Sequence, residues 1–99
     1  AENRIAFEIS CLEKIFEEMA KNTSKVAYGI SEVTNAVNSG AVSELLVLDN
    51  IVRSKNLESL MDIVENMSGE VIVVSSEHEG GKQLESLGGV AALLRYPIK

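Results

Sequence analysis

The chain has no Trp, a single Cys (Cys11), a single Pro (Pro97) and a single His (His78), and only two Tyr and two Phe. One thiol closes no internal disulfide, which fits a reducing compartment better than a secreted one. Cys11 and His78 together fall short of the four ligands of a structural zinc site. Positive charge is also scarce. Nine Lys and Arg face fifteen Asp and Glu, a net charge of −6, and the basic residues form no run. That balance repels a phosphate backbone at long range and argues against nonspecific nucleic-acid binding. No stretch approaches the roughly eighteen apolar residues of a membrane span. No basic-then-apolar leader opens the chain.

What is present is ordinary for a folded domain: 99 residues, 45% hydrophobic and 24% charged, without linker, repeat or low-complexity segment. A chain of this size buries roughly 60 to 65% of its unfolded surface, enough for one core. We therefore expect a single domain over residues 1–99. Because the chain begins at Ala1 and falls straight into a helical pattern, we expect a piece of a longer protein.

From Arg4 to Lys21, Ile5, Ile9, Leu12, Phe16 and Met19 recur at three- and four-residue steps. They predict a long amphipathic helix. Ala6, Phe7, Cys11 and Ile15 widen the stripe, so burial on more than one side is expected. Cys11, on this apolar face, is expected as a packed small hydrophobe. Val26-Ala27-Tyr28 reads as a short strand closed by Gly29, and Ser31 as the cap of a helix with Glu32 in its first turn. Val33, Ala36 and Val37 give that helix a buried face, and Gly40 ends it. Leu45 to Leu48 is a strand covered on both faces.

Leu57, Leu60, Met61, Val64 and Met67 predict a further amphipathic helix that stops at Ser68-Gly69, with both Met as core filler. Val71 to Val74 is another buried strand. Lys82 to Leu87 reads as a short helix, Gly88-Gly89 as its end, and Val90 to Tyr96 as a last strand that Pro97 terminates. Strands alternating with helices imply an α/β fold, a three-layer α/β/α sandwich around four strands, with parallel neighbours favoured by the crossover helices.

Chemistry is sought first after the Val71–Val74 strand, because open α/β sheets bind ligands at strand carboxyl ends. Ser76-Glu77-His78-Glu79-Gly80-Gly81-Lys82-Gln83 is a near miss of the phosphate-binding loop. It lacks the first Gly and the final Ser or Thr, and it carries two acids. His78-Glu79 begins like a zinc-protease helix, but Lys82 stands where the second His belongs. Ser76 and His78 pair on paper as nucleophile and base, with no orienting carboxylate at recognisable spacing. The plainer reading is a solvated turn with a surface His. Glu77 and Glu79 then read as solvated charge. The residues point to a binding module and not to an enzyme, and no cofactor is expected.

Val26-Ala27-Tyr28-Gly29, Glu32-Val33, Ala36, Gly40-Ala41-Val42 and Leu45-Leu46-Val47, with Asp49 and Arg53, resemble the opening of a known domain. The stretch from Val73 through Glu77-His78-Glu79-Gly80-Gly81-Lys82-Gln83-Leu84 and Gly88-Gly89-Val90 to Arg95-Tyr96-Pro97 is similar to its end. The domain is the carboxyl-terminal one shared by Pelota-like proteins and class I translation termination factors. The resemblance covers about Lys25 to Ile98. The short Asn50–Val71 segment and the Ser-Ser-Glu-His turn resemble the archaeal Pelota branch more than the release factors.

The resemblance implies a mixed four-stranded sheet, like that of ribosomal proteins that bind kink-turn RNA. It also implies a role in ribosome rescue, mRNA surveillance and no-go decay in the cytoplasm. In that family this domain docks an elongation factor 1-alpha-like GTPase and the ribosome-recycling ABC ATPase, and meets the ribosome through the full-length protein. The peptide-releasing Gly-Gly-Gln motif is missing, since Lys82 follows Gly80-Gly81. The alternatives are a release-factor carboxyl-terminal domain and a kink-turn RNA module. The latter resembles the Gly29 region but carries Asn-Glu and a Lys where this chain has Ser31, Glu32 and Asn35, which removes its phosphate-binding charge. Expected partner contacts are Glu32, Ser76, Glu77, His78, Glu79, Gly80 and Gly81, with the exposed side of Glu58 nearby. Neither direct nucleic-acid contact nor membrane binding is expected of this domain.

Overall fold

The computed structural model describes residues 2–97; Ala1, Ile98 and Lys99 lie outside them. Eight elements alternate along the chain: α1 (Glu2–Lys21), β1 (Val26–Tyr28), α2 (Ile30–Asn38), β2 (Val42–Leu48), α3 (Glu58–Asn66), β3 (Glu70–Val74), α4 (Glu79–Ser86) and β4 (Val90–Leu94). The strands lie in the order β1-β4-β2-β3. β2 and β3 are parallel, joined across α3, whereas β4 runs antiparallel to both β1 and β2. The preference for parallel neighbours thus holds for one pairing of three. The last strand enters between β1 and β2, a placement set by long-range pairing that no local pattern encodes.

Period-two alternation sends β2 side chains to opposite faces. Leu45 and Val47 meet Val33, Val37, Leu57 and Val64 beneath α2 and α3. Leu46 and Leu48 meet Cys11, Leu12, Ile15 and Leu84 beneath α1 and α4. The three-layer α/β/α sandwich is therefore present with one core on each face of the sheet. Cys11 is buried there, as a small hydrophobe.

Five local expectations need correction. In α1, Ile5, Ala6 and Phe7 are exposed and the buried stripe is Glu8, Cys11, Leu12 and Ile15; the helix buries the one side that packs against the sheet and α4. The cap of α2 is Gly29 and not Ser31. At φ +84° and ψ 153° the chain turns sharply out of β1, a conformation essentially reserved for Gly. Met67 caps the end of α3 and is 38% exposed. β4 stops at Leu94 because Arg95 turns away, its amide donating to Ala41 O and its guanidinium to Val42 O and Met67 O.

α4 also starts earlier than the expected Lys82, at Glu79, so Gly80 and Gly81 are its first turn. The physical reason is close approach. A Cβ on Gly81 would stand 2.0 Å from Ser75 O, so only Gly lets the helix seat directly on the β3–α4 connection.

Candidate docking site

Glu8 sits on the inner face of α1, at i, i+3, i+4 and i+7 with Cys11, Leu12 and Ile15, and that spacing carries a carboxylate beneath the helix. It is the one buried charged residue among the described residues, at 4% exposure. A buried charge persists only when fully partnered. Oε2 accepts from Arg4 Nε at 2.5 Å, and Oε1 accepts from Ser75 N at 3.0 Å and from His78 Nε2 at 2.7 Å. Burial acts to raise its pKa, but the hydrogen bonds from Ser75, His78 and Arg4, with the Arg4 charge, outweigh it and hold the carboxyl below its ordinary value.

His78 is therefore no solvated surface residue; its side chain is 13% exposed. Its Nδ1 accepts from Gly80 N at 3.0 Å, capping α4. Because Nδ1 accepts, Nε2 carries the hydrogen and donates to Glu8. Both ring nitrogens are thus committed, and neither is free to act as a general base toward Ser76. Ser76 N donates to Asp49 Oδ1 at 3.2 Å, which ties the same turn to the end of β2. Sequence reasoning missed Arg4 and Glu8. The available signal was a Glu placed within the most apolar stripe of α1.

The expected contact residues divide between two places. Glu77 on the β3–α4 turn and Glu79 at the start of α4 are both exposed. His78, Gly80 and Gly81 shape that turn from within, the two Gly being buried and Ser76 half-buried. Glu32 lies on α2, beside β1, and β1 and β3 are opposite edges of the sheet. Glu58 is exposed at the start of α3. The acidic turn and the Glu32 region are therefore separate surfaces.

Glu32 Oε1 accepts from the Tyr28 amide at 3.1 Å. Around it lies an open depression of ≈ 730 Å³ floored by Tyr28, Gly29, Ile30 and Asn35, and a second of ≈ 450 Å³ between Val26, Leu94, Asn35 and Ser39. This is where the kink-turn resemblance would place RNA, and among the described residues lining it Glu32 is the one charged group. Among the described residues no cluster of three or more His, Cys, Asp or Glu could hold a metal.

Residues 5–98 match the family model described as eRF1 domain 3. The chain is 56% identical over 97 residues to the protein pelota homolog of Methanobrevibacter smithii, covering 98% of this chain and 28% of that protein. The crystal structure of Archaeoglobus fulgidus Pelota superposes with a TM-score of 0.94 at 40% identity, over 99% of this chain and 32% of that one. A model of ribosome-bound archaeal Pelota and ABCE1 gives 0.85 at 53% identity, over 99% and 28%. S. cerevisiae Dom34, a translation termination-like factor involved in RNA quality control and interacting with Hbs1, gives 0.84 at 34% identity, over 94% and 28%. The chain thus spans under a third of the length of these relatives.

Proposed function

Since the chain belongs to the eRF1 domain 3 family, we propose that it is the protein-docking domain of a Pelota-type ribosome rescue factor, receiving an elongation factor 1-alpha-like GTPase and the ribosome-recycling ABC ATPase in the cytoplasm. The match across residues 5–98, together with the 56% identity to a pelota homolog, carries this reading. The domain is a noncatalytic interaction domain, in keeping with a His78 whose two nitrogens are both engaged within the fold. Similarity to Pelota bound to a ribosome with ABCE1, and to Dom34, which interacts with Hbs1, supports the two kinds of partner.

The acidic turn is the proposed contact for a basic partner surface. Glu77 and Glu79 are exposed and anchored from below, so their charges are presented on a rigid base. Such charges act chiefly on association rate and salt dependence. Titration calorimetry of the 99-residue chain with each purified partner tests the reading. Binding that falls about tenfold when Glu77 and Glu79 are both changed to Lys supports it. Unchanged affinity removes the turn from the interface, and absence of binding to both partners discards the docking role.

A further inference from the structure

The register of β1 against β4 places Val26 opposite Leu93, Ala27 opposite Ala92 and Tyr28 opposite Ala91. The flanking bonds run from Leu94 N to Lys25 O and from Gly29 N to Val90 O. In an antiparallel ladder the hydrogen-bonded positions alternate, so residues 25, 27 and 29 face β4 and the backbone groups of Val26 and Tyr28 point outward. Among the described residues, the one outward group that has a partner is the Tyr28 amide, and that partner is a carboxylate, Glu32. A bare strand edge is a template for another strand; here an acidic side chain occupies part of that template.

The surroundings fit an added strand. Glu32 and Asn35 on α2, and Ser39 that caps its end, stand at three- and four-residue spacing and line the depression beside this edge. Tyr28 and Ile30 are 45% and 37% exposed and offer an apolar floor. Glu32 is the single charge lining both depressions among the described residues, in a chain of net charge −6.

We propose that the outer edge of β1, with the α2 face beside it, is a strand-addition site for an extended basic peptide segment of a partner protein. The peptide carbonyl takes the Tyr28 amide in place of Glu32, and the freed carboxylate pairs with a Lys or Arg on the incoming strand. Backbone pairing supplies binding and the alternate side chains supply selectivity. The inference rests on the geometry of this edge and requires neither the GTPase nor the ATPase as the source of the peptide.

The test is an amide NMR titration of the chain with an end-capped Lys-Val-Thr-Val-Lys pentapeptide, and with its Glu-Val-Thr-Val-Glu counterpart. The basic peptide is expected to shift Val26, Tyr28, Glu32 and Asn35 with a Kd of about 1 mM or tighter, and the acidic one to leave them unmoved. Val26→Pro removes an outward amide without removing a β4 bond, and Glu32→Lys reverses the charge. Each should abolish the shifts while the remaining spectrum reports an intact fold, and Glu32→Lys serves alone if the Pro variant unfolds. Equal response to both peptides, shifts on another surface, no response, or tight binding of a kink-turn RNA at these residues overturns the proposal.

Discussion

Glu8 Oε1 lies 2.7 Å from Nε2 of His78, a residue 70 positions further along the chain, and the same oxygen accepts the Ser75 amide. One carboxylate thereby fastens the first helix to the turn that presents Glu77 and Glu79. The same contact sets which His78 nitrogen carries the hydrogen, and so lets the other cap α4.

Replacing Glu8 by Ala strands a buried His78 N–H and a backbone N–H. Leaving such donors unpaired costs about 1–3 kcal/mol each, so Glu8→Ala is expected to lower stability by about 3 kcal/mol in urea denaturation. A loss no larger than that of an exposed control, such as Glu13→Ala, contradicts the assigned role.

The same group makes stability depend on acid. Its folded pKa lies below the ordinary value of 4.5, so below that value the unfolded chain binds the proton more readily than the folded one. The contribution is complete above about 4.5 and is lost as pH falls through the lower folded pKa. Denaturation midpoints measured between pH 6 and pH 3 should fall for the native sequence, and Glu8→Gln should flatten that dependence.

Two glycines fail for different reasons when changed to Ala. At Gly81 the new methyl meets Ser75 O at 2.0 Å, so α4 must move off its seat, with a cost of about 3 kcal/mol or more. At Gly29 nothing lies within 4 Å, but φ is +84°, and the cost is backbone strain of about 1–3 kcal/mol. Chemical shifts around Ser75 and Ser76 should change in the first variant and stay in place in the second.

Cys11 is 1% exposed. Burial, reinforced by the Glu44 carboxylate, pushes its thiol pKa up, so the thiol stays protonated. Iodoacetamide should label it slowly in the folded chain and rapidly in denaturant. Rapid native labelling would place the α1 face in solvent.

Charge reversal of Glu77 and Glu79 should lower thermal stability by no more than about 1 kcal/mol, the loss coming from Glu79, whose charge favours the start of α4, since both side chains are exposed. Thermal melts run beside the partner titrations check this and separate lost binding from lost structure.

The sequence by itself determined the number and kind of elements. Apolar runs such as Leu45–Leu48, the helical spacing of Leu57 to Val64, and the glycines at 40, 88 and 89 are local signals, and local backbone preference reads them directly. The acidic turn was legible in the same way, because Glu77 and Glu79 sit between a buried strand and a Gly pair. Only the tertiary structure decided that Ile5 and Phe7 face solvent while Glu8 faces inward, that His78 is tied to α1, and that β4 separates β1 from β2. Each depends on partners dozens of residues away. A helix stripe fixes which residues share a face, whereas the side that becomes the interior is chosen by what packs against it.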